Sequence, residues 1–225
     1  MIDAALLPLQ RRVLRAPAGR LAALGVTADQ ITLAGFVIGA LSLPALAFGQ
    51  YGLALVLIGL NRIMDGLDGA VARLTGPTDR GAFLDIALDF VFYALVPLGF
   101  ALSDPAQNAL PAAVLLAAFV GTGSSFLAFS TIAAKRSLRA DAYPSKGIYY
   151  LSGLTEGAET ITLFVAMCLL PDLFSVFAYG FAAACAVTTA MRWHQGWMAF
   201  DPEKNSRERV TDGAVTGPQI NAPAE

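Results

Sequence analysis

Four aspartates within 25 residues are the side chains of this sequence best placed to do chemistry. Asp65 and Asp68 stand in the run DGLDGAVAR over 65–73, and Asp85 and Asp89 in GAFLDIALD over 81–89. On a helix, Asp65, Asp68, Gly69, Ala72 and Arg73 share one face, and Gly81, Asp85 and Asp89 share another. Hard carboxylate oxygens at this density suit Mg²⁺ or Mn²⁺, with phosphate and water completing the shell. Two such ions about 3.5–4 Å apart could hold a pyrophosphate and stabilise charge on both sides of a displaced phosphorus. Asp65 and Asp68, just under a turn apart, can reach one ion, and Asp85 can close that site from the neighbouring helix. Gly69, Ala72 and Gly81 leave room for a bulky ligand or a partner helix. Arg73 adds a cation suited to phosphate.

The elements that must carry these residues lie in a membrane. Hydrophobic residues make up 56% of the 225 and charged residues 14%, with a mean hydropathy of +0.60. Residues 30–48, 105–134 and 173–191 carry no charge, and each run can cross about 30 Å of hydrocarbon at about 1.5 Å per residue. Three further segments, about 51–74, 81–102 and 147–170, are apolar apart from one polar face. The expected fold is therefore all-α, with six transmembrane helices. A carboxylate deep in a bilayer costs a few kcal/mol (about 2.5–3.5 on insertion scales), so four of them demand a cationic partner.

Basic residues set the orientation. Arg11, Arg12, Arg15 and Arg20 precede the first span; Arg73 and Arg80 flank the second connection. Lys135, Arg136, Arg139 and Lys146 fill the fourth, and Arg192, Lys204, Arg207 and Arg209 follow the last span. The other connections carry none. Both termini and the aspartate cluster then face the cytoplasm, in an inner membrane of bacterial type. Among the fifteen basic residues only Arg62 falls inside a span rather than beside its cytoplasmic end. It lies three residues before Asp65 on the same face, placed to compensate the carboxylates.

The leader over 1–24 does not read as a cleavable signal, because its arginines follow the first apolar residues. Ile2, Leu6, Leu9 and Val13 recur at helical spacing opposite Arg11, Arg12 and Arg15, the pattern of an amphipathic helix in the interface among anionic lipid headgroups. Pro8 and Pro17 argue against one long regular helix there. The membrane domain is expected to span 1–200 and to be followed by a polar, disordered tail over 201–225. Cys168 and Cys185 provide no disulfide framework. His194, in RWHQGW, reads as part of an interfacial anchor.

The aspartate run resembles the signature of the CDP-alcohol phosphotransferases: D-x-x-D-G-x-x-A-R, a loop of about eight residues, then G-x-x-x-D-x-x-x-D. Asp65, Asp68, Gly69, Ala72, Arg73, Gly81, Asp85 and Asp89 match it, with seven residues, Leu74 to Arg80, in the loop. The resemblance implies transfer of a substituted phosphate from a CDP-linked donor, foremost CDP-diacylglycerol, to a small alcohol, releasing CMP. It implies two divalent cations held by Asp65, Asp68, Asp85 and Asp89, with Asp89 also the general base. Asp65, Gly69, Ala72, Arg73 and Gly81 would contact the donor nucleotide and its phosphates. A homodimer and a six-span fold with an amphipathic leader are implied as well; no nucleic acid is.

Three features fall outside the signature. Asp29-Gln30-Ile31-Thr32 resembles the family's Pro-Asn-x-x-Thr entry and also reads as a helix start capped by Thr27. Glu156 and Glu159 point to a polar cavity facing the acceptor, or to pairing with Arg62 or Arg192. Lys135, Arg136 and Arg139 could recruit a phosphate-bearing acceptor or touch headgroups. Two other classes share intramembrane acids: a UbiA-like membrane prenyltransferase, expected to place its aspartate motifs in separate halves, and a cation or proton transporter, expected to repeat its halves. Neither pattern appears in the sequence.

Overall fold

The computed structural model describes residues 2–136 and 154–201, with side chains from Arg12 onward. Eight α-helices follow one another: α1 Ile2–Ala23, α2 Ala28–Ala40, α3 Ser42–Ala47, α4 Tyr51–Thr75, α5 Asp79–Ser103, α6 Pro105–Lys135, α7 Gly157–Leu169 and α8 Phe174–Ala199. A 3₁₀ turn over Pro171–Leu173 leads into α8. The described residues contain no strand.

Among the described residues, four segments are long and apolar enough to cross a membrane: Ala28–Ala47, Asp79–Ser103, Pro105–Lys135 and Pro171–Ala199. The other two expected crossings differ for separate reasons. Helix α4 has the length, 25 residues, or about 37 Å, but carries Arg62, Asp65 and Asp68 in its apolar stretch. Helix α7 is apolar but has 13 residues, about 20 Å. The first part of its expected segment, 147–153, lies outside the described residues, as does the tail from 202. The first crossing is not one rod either. It breaks at Leu41 between α2 and α3, where the ring of Pro44 would meet the carbonyl of Ala40 in a continuous helix.

The leader departs from expectation. Helix α1 runs unbroken through Pro8 and Pro17. A proline removes one hydrogen bond and bends a helix without necessarily ending it, and packing supplies what local propensity lacks. Leu14, Ala18, Leu21 and Ala22 dock on Ile31, Ala70 and Val71. Val13, on the stripe that looked most apolar, is 63% exposed.

Aromatic packing runs from Phe92, beside Arg62, to the bundle's far end. Phe92, Phe100, Phe164 and Phe174 are fully buried, and the Phe100 and Phe174 rings stack at 4.6 Å. At the other end, small residues decide the spacing. A Cβ on Gly35 would lie 2.7 Å from the Met64 Cβ, and one on Gly39 would lie 2.7 Å from Asn61 Nδ2 and 2.9 Å from Phe92 Cδ2. This Gly-x-x-x-Gly pair lets α2 press on α4 at the level of the aspartates. Between α4 and α5 only three residues intervene. Gly76 takes φ +100°, a conformation that costs a residue with a Cβ, and Thr78 caps α5 by accepting the Gly81 N–H at 3.0 Å. The seven-residue spacing between the motif halves is thus absorbed in the turn.

Gly39→Val should destabilise the folded protein by about 1–3 kcal/mol, read as a lower unfolding temperature in detergent. Gly59→Ala, where a Cβ meets nothing within 4 Å, should leave that temperature unchanged or raise it.

Candidate metal centre

The C-terminal half of α4 and the N-terminal half of α5 meet across the short turn, so their acidic faces oppose each other. Asp65 stands ten residues before the end of α4, and Asp85 six residues after the start of α5. At about 1.5 Å per residue the cluster sits about 9–15 Å below the helix ends. That is within the expected membrane span yet reachable from its Arg73–Arg80 side.

Three of the four aspartates converge. One carboxylate oxygen each from Asp65, Asp68 and Asp85 lies within 4.8 Å of the others, a donor set of the right hardness and spacing for one Mg²⁺ or Mn²⁺ with further ligands. Asp68 is the buried member, at 6% exposure. The Thr32 hydroxyl lies 2.6 Å from its Oδ2 and 3.0 Å from the Ala28 carbonyl; donated to Asp68, its proton fixes that carboxylate's orientation. A cavity of about 10 Å³ opens among these residues, room for about one water-sized body.

The fourth aspartate is held differently. Asp89 Oδ1 accepts from Arg62 Nη2 at 2.8 Å. The same guanidinium reaches Asp65 Oδ2 at 3.7 Å and Tyr93 Oη at 3.4 Å. It lies over the Phe92 and Tyr93 rings, at 4.8 and 5.5 Å from their centroids. Asn61 Oδ1 accepts from its Nε and Nη2 at 2.8 and 2.6 Å, while Asn61 Nδ2 donates to the Gly35 carbonyl at 2.9 Å. Asp89, expected in the metal set with the other three, stands as the arginine-held edge of the cluster. The compensating role expected of Arg62 is what the geometry shows.

The remaining expected residues divide. Gly69 sits beneath Arg73, whose Nη1 would be 3.3 Å from an added Cβ, and Arg73 and Ala72 continue the acidic face toward the helix end. Gly81 faces Asp29, whose Oδ1 would be 3.1 Å from a Cβ there; Asp29 Oδ2 in turn accepts from Arg80 Nε at 2.7 Å. Thr27 caps the helix start as expected, within a full capping box: Thr27 Oγ1 accepts from the Gln30 N–H and Gln30 Oε1 from the Thr27 N–H. The same segment also delivers Thr32 and Asp29 to the two halves of the motif.

Lys135, Arg136, Glu156 and Glu159 do not line the aspartate cavity. Lys135 and Arg136 are exposed, and Arg136 Nη2 donates to the Phe200 carbonyl at 3.3 Å. Arg139 lies outside the described residues. Glu156 is buried at the start of α7, near a second polar seam in which Thr155 and Thr188 hydroxyls meet at 3.1 Å. Arg192 Nη1 donates to the Thr122 carbonyl at 2.9 Å. Thr32 and Asn61 are the members of the centre that motif reading passed over or left undecided. A polar Asn61-Arg62 pair inside a span, and glycines four apart on the preceding helix, are the signals that could have found them.

Comparison with known proteins bears on the same residues. A family model described as CDP-alcohol phosphatidyltransferase matches residues 25–194. The inner membrane protein YnjF of Escherichia coli is 56% identical over 174 residues, covering 77% of this chain and 84% of that protein. An archaetidylinositol phosphate synthase of Methanothermobacter thermautotrophicus is 31% identical over 160 residues, covering 71% and 73%. The fold is similar to that of Mycobacterium tuberculosis phosphatidylinositol phosphate synthase crystallised with CDP-DAG bound. That comparison gives a TM-score of 0.67 at 22% identity, over 84% of this chain and 98% of that one. The same enzyme in complex with manganese and citrate gives 0.67 at 22% identity, over 84% and 92%.

Thr32→Val keeps the shape and removes the proton donated to Asp68. Hydrogen bonds to charged groups contribute about 1.5–3 kcal/mol to stability, so the unfolding temperature should fall by several degrees, and kcat/KM should fall as Asp68 loses its fixed orientation.

Proposed function

The chain belongs to the CDP-alcohol phosphatidyltransferase family, and from that premise we propose that CDP-diacylglycerol is its donor and that Asp65, Asp68 and Asp85 hold its catalytic metal. It is a divalent-metal-dependent membrane enzyme that transfers a phosphatidyl group to an alcohol in phospholipid synthesis. The observation that carries the site assignment is the approach of three carboxylate oxygens within 4.8 Å, from two helices, at positions of the family motif.

Bound divalent ions, two of Mg²⁺ or Mn²⁺ in this reading, supply positive charge to the donor's diphosphate and to the phosphate that leaves as CMP. The chain's own residues do the rest. Thr32 fixes Asp68, and Asp65 and Asp85 complete the face presented to the diphosphate. Arg73, above Gly69 and Ala72, pairs with donor phosphate, while small Gly81 leaves the mouth open beside Asp29. Asp89 takes the proton of the acceptor hydroxyl as its oxygen bonds to the phosphorus and the bond to the CMP oxygen breaks. The guanidinium of Arg62 holds that carboxylate in place for the transfer. In phosphoryl transfer, positioning and charge neutralisation are most of the work, which such a sparse set can perform.

Membrane placement follows the charge pattern. In this reading α4 and the segment ending in α7 complete six crossings, α1 lies in the interface, and residues 1–200 form one domain with a polar tail after it. Basic residues at the site's end put both termini and the active site in the cytoplasm, and the E. coli relative's name favours the inner membrane. A homodimer is the family expectation. The acceptor is read as a phosphorylated polyol, favoured by the names of the synthase relatives and by the basic group beginning at Lys135.

Asp68→Asn should abolish CMP release from CDP-diacylglycerol while leaving a folded membrane protein, and chelation of divalent metal should silence the wild type until Mn²⁺ or Mg²⁺ is returned. Full activity in the variant would overturn the metal assignment. An acceptor screen with glycerol 3-phosphate, serine, inositol, inositol phosphate and phosphatidylglycerol should select a phosphorylated polyol. With that acceptor, Lys135→Ala should raise KM severalfold at nearly constant kcat; an unchanged KM would return Lys135 to headgroup contact.

A further inference from the structure

We propose that Arg62 couples entry of the second divalent ion to arrival of the donor's diphosphate, by keeping Asp89 paired to a fixed internal cation. The inference rests on the metal reading above but concerns a residue outside the eight motif positions.

The four aspartates and Arg62 together carry three net negative charges. One dication on Asp65, Asp68 and Asp85 leaves a single negative charge, and a second dication reverses the sign. A net positive cluster within a helical bundle is costly, because the interior screens poorly and offers little hydration. A diphosphate restores the balance. Without Arg62 two dications would neutralise the four carboxylates outright, and no such dependence would arise.

A flexible lysine at a cavity mouth could swing away when an ion approached. Arg62 is pinned: Asn61 Oδ1 accepts from two of its nitrogens at 2.8 and 2.6 Å, and Asn61 is itself tied to the Gly35 carbonyl at 2.9 Å. The Phe92 and Tyr93 rings bound the guanidinium at 4.8 and 5.5 Å. Its charge therefore stays in the site, and any ion using Asp89 must share that carboxylate with Nη2, 2.8 Å away. Competition for Asp89 and the sign of the net charge act in the same direction.

The test is Mn²⁺ binding to the purified full chain in nanodiscs, followed by electron paramagnetic resonance with and without CDP as a diphosphate that does not react. Wild type should bind one ion tightly alone and bind a second about tenfold more tightly when CDP is present, a coupling of ordinary size. Arg62→Gln should bind the second ion tightly without CDP and lose the enhancement, whereas Arg62→Lys, which keeps the charge but not the two-nitrogen hold on Asn61, should show an enhancement between those of Arg62→Gln and wild type. Asp89→Asn, a neutral isostere, should bind one ion with or without CDP. Two equally tight ions in CDP-free wild type would overturn the proposal, as would an unchanged CDP dependence in Arg62→Gln or a CDP-induced second ion in Asp89→Asn. Should Arg62→Gln fail to fold, the wild-type and Asp89→Asn titrations decide alone. Absence of any Mn²⁺ binding to wild type would instead remove the metal reading itself, and this proposal with it.

Discussion

Concentrated negative charge in a poorly solvated helical bundle shapes everything around it in this protein. Asp68 is almost fully buried and Asp65, Asp85 and Asp89 are partly so. Carboxylates in such surroundings persist only with cations and hydrogen-bond donors around them. Arg62 and Thr32 are two donors that meet the cluster, from α4 and α2. In the proposed reading, divalent metal would supply the remaining positive charge.

The need to bring those donors in explains the packing. Helix α2 contributes Thr32 to Asp68 and the Gly35 carbonyl to Asn61, and both contacts require α2 to lie close against α4. Gly35 and Gly39 permit that approach; the docking of α1 on Ile31 and Val71 holds it from outside. Farther along α5, the stacked rings of Phe100 and Phe174 take over. The site is thus framed by small and polar residues, with Phe92 and Tyr93 backing Arg62, and the aromatic packing continues from there into the rest of the bundle. A rigid aromatic base with a tightly gauged polar end suits an enzyme whose chemistry is mainly positioning.

A second set of buried polar groups lies outside the aspartate cavity. Glu156, at the start of α7, and Arg192, on α8, are both buried, Arg192 donates to the Thr122 carbonyl, and the Thr155 and Thr188 hydroxyls meet at 3.1 Å. The eight motif positions carry no information about α7 or α8.

Residue order was enough to read an all-helical chain, the charges on α4 and α5 and the faces those charges share, though not the break at Leu41 or the short α7. Spacing of three or four residues on a helix is a local matter, so Asp65 with Asp68, Asp85 with Asp89, and Arg62 with Asp65 align from residue spacing alone. The cap at Thr27 was equally local. Folding added the division of four equivalent-looking aspartates into a converging three and an arginine-held fourth, together with the unbroken leader helix and the close seat of α2. The contacts responsible join residues far apart in the chain: 36 positions for Thr32 and Asp68, 26 for Gly35 and Asn61, 27 for Arg62 and Asp89. Such pairs depend on which helix faces pack and at what depth, and that is set by the volumes of many side chains acting together.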